Sequence, residues 1–410
     1  MKIFDVAIIG GGPAGMMAGI IVSKSKKLSI LIEKNNFLGQ KLLATGNGRC
    51  NITNRSLKIT NYHGHKPSFV APIFNQFNHR DTVKYFESIN VSLKEEDQGR
   101  LFPKSDQAKT IVAALTAELV ANNIKINLAH SVKKIERKTN WHITLDQGEL
   151  IVSKKLILTT GGKAAFQFGS SGDGLFWAQK LGHTIEPIYA ALVPIETLED
   201  WPAKVQGIKI KSKVSAFYKN KLEAENWGDL LFTHYGLSGP AIMGISGQIA
   251  HRIKNINHPV KLVIDLLPSL TLAALEDRIG LLFETKGSKS ILNNLHGLMP
   301  TNLISQALLQ ANINQDQKSA EISKRERTKI SQSLKAFPAT IKKLRPLKEA
   351  QVTRGGISLR EVDDKTLESL IVRDLYFAGE ILDIDGDSGG YNLQWAWSSG
   401  YVAGRQASIE

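Results

Sequence analysis

The 410-residue chain is short of several things, and each shortage narrows what it can be. It carries one cysteine, Cys50. A single thiol excludes a disulfide framework, a CxxC redox pair and any multi-cysteine metal or cluster site. It suits a reducing compartment. No run of about 18 apolar residues is present, so the pattern holds no membrane-spanning helix. The N-terminal apolar run is only strand-length and leads into glycines, not a cleavage site, so it does not read as a secretory signal. The expectation is a cytoplasmic protein. Acidic residues are also short: 38 against 52 basic ones, a formal net charge of +14. That excess permits a nucleic-acid, membrane-surface or anionic partner, and equally a solvated basic surface. Hydrophobic content is not short. With 42% apolar and 22% charged residues the chain is an ordinary globular one, which excludes disorder as its main state. At roughly 100–200 residues per domain it holds two or three domains.

The residues present fall into distinct textures. Residues 4–9 form a buried strand, residues 16–25 a helix and residues 28–33 a second strand, which together make a βαβ unit and imply a parallel sheet. Residues 108–122 have helical periodicity, whereas 124–136 and 140–152 alternate like antiparallel strands. Residues 155–162 read as a strand ending in glycines. From about 191 to 266 short alternating segments recur (208–218 and 260–266), as in a small antiparallel sheet or barrel. From 268 to 334 the period becomes helical (270–283 and 302–310), and 337–344 reads as a return to the sheet. Near Gln351 the glycine-rich α/β texture resumes. The economical reading is one α/β domain split by an insertion over residues 191–346.

Gly10-x-Gly12-x-x-Gly15 lies between the first strand and its helix, the context a dinucleotide loop requires. Gly10 permits the tight turn, Gly12 lets a pyrophosphate approach the backbone, and Gly15 lets helix and strand pack closely. With Pro13 and Ala14 they make up the helix start, whose free N–H groups and positive dipole end favour phosphate. Glu33 ends the second strand, 18 residues past Gly15, where a carboxylate can accept from both ribose hydroxyls of an adenosine. It would repel a 2′-phosphate, which favours FAD or NAD over NADP. Lys34 follows it as a further candidate contact.

A second glycine-rich site closes the chain. A strand runs into Gly379-Glu380, placed for a ribityl hydroxyl. Gly389 and Gly390 then open a helix over 391–407 whose Ala396, Gly400 and Gly404 form a small-residue face. N–H groups and a helix dipole there suit the ring edge of a reduced flavin. The alternative is a structural turn before a C-terminal helix. Two chain ends serving one long cofactor favour FAD. No second GxGxxG stands in the right context, so a separate NAD(P)H domain is not expected. NAD(P)H as reductant would have to visit the same flavin face as the substrate.

Several blocks resemble the YhiN/BaiN-like, or HI0933-like, family of NAD(P)/FAD-dependent oxidoreductases: residues 10–15, 46–54 (GNGRCNITN), 99–103, 160–162, 169–174, 233–240 (THYGLSGP), 352–357 and 377–404. The likeness spans nearly the whole chain, with a departure at 163–168. It implies an α/β fold: a Rossmann-like FAD-binding domain of the two-dinucleotide-binding flavoprotein type. It places that domain at 1–190 and 347–410, split by a β-barrel at 191–266 and 335–346 that carries a helical subdomain at 267–334. It also implies bound FAD, with Glu33 on the adenosine ribose. Asn47, Gly48, Arg49, Cys50 and Asn51 would lie near the flavin. Val132, Thr160 and Gly161 would lie near the adenine half. Glu380 and the turn Gly390, Tyr391, Asn392 and Leu393 would hold the ribityl and pyrimidine end.

The candidate chemistry is hydride transfer at flavin N5 to or from a small organic substrate, such as an activated C=C bond, with NAD(P)H as transient co-substrate. His234 or Tyr391 can serve as the proton donor such a reduction needs, the alternative for each being packing. Arg49 can bind a phosphate, a flavin carbonyl or a substrate anion, or sit in a structural ion pair. Lys41 can reach the cofactor or be solvated. Asp173 can cap the helix after it or touch the cofactor. Cys50 reads as a packing residue beside the cofactor. His63 and His65 have no acids nearby in the chain and read as loop residues, and no metal site is expected. A rival reading is an RNA-binding or tRNA-modifying flavoprotein, and a third is a redox sensor without turnover. The charge favours RNA, whereas no RNA-binding module or aromatic platform supports it. Residues 324–345 alone hold eight basic residues and one acid, either a solvated helix face or a docking surface.

Overall fold

The computed structural model describes residues 2–253 and 258–409. It divides into two compact units, Met1–Tyr189 with Ala350–Glu410, and Ala190–Glu349. Residues 254–257, inside the stretch expected to form a barrel, lie outside the described residues.

The first unit is built on a seven-stranded sheet. Strand Ile3–Ile9 lies between Ser29–Ile32 and Leu150–Leu158, parallel to both. Its interior residues Val6, Ala7 and Ile8 are fully buried, as expected of a strand covered on both faces. Leu375–Phe377 adds in parallel to Leu150–Leu158. The helix Pro13–Lys24 starts on Pro13, whose missing N–H costs nothing at a first helical position. The C-terminal helix Tyr391–Ala407 packs on it. A Cβ at Gly400 would stand 2.4 Å from the Ala14 carbonyl oxygen, and one at Gly404 2.7 Å from that of Ala18, so the small-residue face lets the two backbones meet.

The alternating stretches divide differently from the expectation. Lys125–Asn127 is a separate strand parallel to Ser29–Ile32. Only Val132–Arg137 and Trp141–Leu145 pair antiparallel. A turn at 146–149 then begins Leu150–Leu158, one strand across what read as two. Alternation reports which face is wet, not the direction of the neighbouring strand.

In the second unit six strands close into an antiparallel barrel, in the order Ile195–Thr197, Gly236–Ser238, Lys221–Thr233, Lys209–Tyr218, Lys261–Asp265 and Phe337–Leu344. Helix Pro240–Ile249 interrupts what read as a purely β stretch. Its Ile242, Ile245 and Ile249 share a core with Val214, Leu230, Phe232 and Ile264. Helices Leu272–Thr285, Thr301–Gln310 and Lys324–Lys335 add Leu275, Ile279, Leu303, Ile330 and Leu334 to the same core. No described helix is long and apolar enough to cross a membrane.

Candidate functional site

The first strand, the glycine loop and the C-terminal helix bring both ends of the chain to one place. A Cβ on Gly15 would lie 1.8 Å from the Gly10 carbonyl oxygen, so only glycine fits there. Thr159, after strand Leu150–Leu158, donates from Oγ1 to the Gly10 carbonyl at 2.8 Å, which sets Thr160 beside the loop. Gly379 stands against Ala14, its Cβ position 2.9 Å from the alanine's Cβ. The C-terminal helix holds Gly379: its N–H donates to Ser399 Oγ at 2.9 Å, and its carbonyl accepts from Trp395 Nε1 at 3.1 Å.

Two carboxylates mark this cradle. Glu33 is buried; its Oε2 accepts from the Gly11 N–H at 2.6 Å and its Oε1 from the Asn35 N–H at 2.8 Å. Glu380 accepts from Lys41 Nζ at 2.7 Å and from the Thr353 N–H at 2.9 Å. Lys41 and Glu380 are thus partners across 339 positions. At Gly12 an added Cβ would meet nothing within 4 Å, so the loop has open space where a pyrophosphate would come close. Asn51 Oδ1 and Thr160 Oγ1 are buried with no hydrogen-bond partner among the described residues. Polar atoms so placed are costly unless a ligand or water meets them. Open space at a helix start, a carboxylate at each glycine site (Glu33 buried, Glu380 partly exposed) and two orphaned polar atoms fit FAD.

Other expected contacts are spoken for. Arg49 donates to Glu96 and to Asp106 (Nε to Oδ1, 2.9 Å), and its guanidinium lies 4.2 Å from the centre of the Phe102 ring. This is the ion-pair alternative. Asp173 is the first residue of helix Asp173–Lys180, not its cap, which is Gly172 in a left-handed conformation with no side-chain cap bond. The Asp173 carboxylate instead takes Lys34 Nζ at 2.9 Å and Ser171 Oγ at 2.6 Å. Asn392 spends its amide on Gly386, accepting from its N–H at 2.8 Å and donating to its carbonyl at 2.7 Å. Tyr391 is buried and its hydroxyl faces the Ser56 carbonyl at 3.5 Å; burial and the nearby Asp387 charge push its pKa up. Cys50 is fully buried and burial pushes its thiol up to about 12, so it packs as a thiol and offers no thiolate. Val132 opens strand Val132–Arg137, and Leu393 packs at the edge of the core. His234 is exposed on the hairpin turn of the second unit, its ring edge-on to Tyr235 at 4.9 Å.

His63 and His65 are not plain loop residues: His63 lies in a short strand, and both meet acids from more than 300 positions away. Asp383, Asp385 and Asp387 stand at alternate positions of one extended segment. Asp383 meets His65 Nδ1 at 2.7 Å, Asp385 takes both arms of Arg354 at 2.9 Å, and Asp387 meets His63 Nε2 at 2.7 Å and Asn61 Nδ2 at 3.1 Å. Asp385 also pairs with His63 in a short antiparallel ladder. This ladder of hydrogen bonds, with the Arg354–Asp385 ion pair at its centre, ends at the Gly389-Gly390 turn. The only sequence signal was the matched period of two in His63/His65 and Asp383/Asp385/Asp387.

Compared with known proteins, residues 4–406 match the model described as the HI0933-like protein Rossmann domain. The chain belongs to the HI0933-like family. Among its relatives is the 3-dehydro-bile acid delta(4,6)-reductase of Clostridium scindens, 33% identical over 98% of this chain and 98% of that protein. The ribosomal RNA dihydrouridine synthases of Escherichia coli and Haemophilus influenzae are each 30% identical; they cover 98% and 96% of this chain and 97% and 96% of their own lengths. The HI0933-like chain is a flavoprotein oxidoreductase whose Rossmann-type domain binds FAD.

Proposed function

We propose that this chain reduces a C=C bond conjugated to a carbonyl, using NAD(P)H through bound FAD in the cytoplasm. The carrying observation is the reaction common to its relatives' names. A 3-oxo-steroid double bond and the uracil C5=C6 bond are both polarised by a carbonyl, and both gain hydride at one carbon and a proton at the other. FAD, when bound, supplies the hydride from N5.

The chain's own residues hold and orient it. The Gly10–Gly15 loop and helix start face the pyrophosphate, Glu33 the adenosine ribose, and Val132, Thr160 and Gly161 the adenine half. Glu380, oriented by Lys41, faces the ribityl chain. Asn51 and the Gly389-Gly390 turn face the ring edge. His234 and Tyr391 are the candidate proton donors.

A second reading, a uridine in RNA as the substrate, is favoured by the +14 charge together with the names of two relatives. The test is anaerobic titration of the purified protein with NADH and NADPH, followed by reoxidation with a small enone or with unmodified ribosomal RNA. Bleaching by a nucleotide and recovery of colour with an acceptor is the expected result. RNA that gains two mass units per uridine would select the second reading, and a flavin that neither nucleotide bleaches would remove NAD(P)H.

A further inference from the structure

Of the residues first assigned to chemistry, Arg49 is the one whose surroundings differ most from that role. The loop it belongs to is an unfavourable backbone. Gly46, Asn47, Gly48 and Cys50 all have positive φ, at 56°, 56°, 83° and 62°. Two of these are not glycine, and side chains there need the surroundings to hold them. Inside the loop the Arg49 N–H donates to Gly46 at 3.2 Å and the Cys50 N–H to Thr45 at 3.0 Å. Gly46, Asn47 and Gly48 at the apex are exposed.

Arg49 ties that loop to the small sheet beside it. Its fork spans Glu96 on strand Leu93–Glu96 and Asp106 beyond strand Arg100–Pro103. Phe102, buried on the latter strand, packs under the guanidinium and lies 3.3 Å from the Cβ position of Gly46. Lys94 supplies the second cation, on Asp106 and on Glu96 at 3.3 Å, so two cations and two carboxylates balance. Across the loop from Arg49, Asn51 carries its orphaned Oδ1, 2.9 Å from the Cβ position of Gly390.

We propose that Arg49 is a positioning residue: its clasp on Glu96, Asp106 and Phe102 holds the Thr45–Asn51 loop in the form that presents Asn51 to the flavin, and it does not meet substrate. This rests on the FAD-loaded state of the proposed enzyme. A guanidinium suits the task because one planar group can bridge two carboxylates and stack on a ring, which an ammonium cannot.

The test is the FAD dissociation constant of the full chain, read by quenching of flavin fluorescence, for wild type, Arg49→Gln, Arg49→Lys and Asp106→Asn. Arg49→Gln should weaken FAD binding by about tenfold or more, the scale of one lost charge-assisted bond. Arg49→Lys should recover part of that affinity, and Asp106→Asn should lose less than Arg49→Gln. Limited proteolysis of the apoprotein should cut faster within residues 45–48 in the same order. If Arg49→Gln does not fold, Asp106→Asn carries the test. Unchanged FAD affinity in the folded variants overturns the proposal, as does a loss in kcat at saturating FAD that exceeds the loss in affinity. A wild-type protein that binds FAD but reduces no enone or RNA would sink the proposed function and leave this inference standing. A wild-type protein that binds no FAD sinks both.

Discussion

The two glycine turns of the cradle are made by opposite means. The N-terminal turn is held by contacts between neighbours: Gly15 leaves no room for a Cβ against Gly10, and Glu33 reaches back to Gly11 across 22 positions. The C-terminal turn is held by distant side chains, through Asp383, Asp385 and Asp387 on His65, Arg354 and His63. A close backbone approach is a steric condition that one residue type can meet. A ladder of side-chain pairs between remote segments exists only after the chain has folded. The first turn should therefore fail abruptly on single substitutions, and the second by degrees.

The largest expected effect is Gly15→Ala. Its Cβ would overlap the Gly10 carbonyl and lie 2.6 Å from Thr159 Oγ1, and backbone cannot move aside as a flexible side chain can. A loss of about 3 kcal/mol or more is expected, with loss of flavin, read by thermal melting and absorbance. A melting temperature like wild type would break the steric half of the comparison.

Next is Asp385→Ala in the C-terminal turn. It leaves Arg354, 17% exposed, without its bidentate partner. Removing one member of a largely buried pair costs about 3 kcal/mol, and Asp385→Asn should cost less. Equal losses for the two variants would show that packing, not charge, holds the turn.

Gly12→Ala sharpens the contrast, since its φ of −75° is ordinary and no atom stands within 4 Å of its Cβ position. The apoprotein should keep its stability within about 0.5 kcal/mol. FAD affinity should fall, because the methyl takes space meant for the pyrophosphate. Equal affinity would show that the pyrophosphate lies elsewhere.

A smaller effect concerns pH. Burial raises the Asp383 carboxyl above its ordinary 3.8, against the pull of His65. The folded chain then holds that proton more tightly than the unfolded one, so this group adds stability as pH falls from neutral through its folded pKa. Glu96, lowered first by Arg49, and Asp106, lowered first by Lys94, act in the opposite sense. Their contribution is full above their ordinary values of 4.5 and 3.8 and is lost as pH falls through the lower folded values. Wild type should gain in urea midpoint relative to Asp383→Asn as pH falls from neutral through the raised folded pKa, and parallel midpoints would count against it.

The smallest effect lies outside the cradle. Charge reversal at Lys324, Arg325 and Arg327 in the second unit should leave FAD content unchanged, since neither turn uses those cations. Loss of flavin in that variant would overturn the assignment of the basic strip.

These contrasts also explain what could be read beforehand. The first strand, its helix, the glycine loop and Glu33 follow from local patterns within 33 residues. The helix over 391–407 and its small face were legible for the same reason, and Gly400 on Ala14 is what that spacing predicts. The pairing of Lys41 with Glu380, of His63 with Asp387 and of Arg49 with Glu96 and Asp106 was not legible. A lone lysine, histidine or arginine has many possible partners, and the sequence does not say which is near. The parallel direction of Lys125–Asn127 was hidden likewise, because alternation is the same in either direction.

By itself, then, the sequence determined the dinucleotide turn, since only glycine satisfies the steric demand at Gly15 and only a strand and helix around it give that demand meaning. The two glycine-rich chain ends favoured FAD, and the family likeness agreed. The tertiary structure alone decided which charges serve the cradle and which merely hold it. It turned Arg49 toward Glu96 and Asp106, spent Asn392 on Gly386, and left Asn51 Oδ1 and Thr160 Oγ1 without partners among the described residues. The reason is range: steric rules act between neighbours along the chain, whereas a hydrogen bond or ion pair is set by distances that exist only once the fold has brought remote residues together.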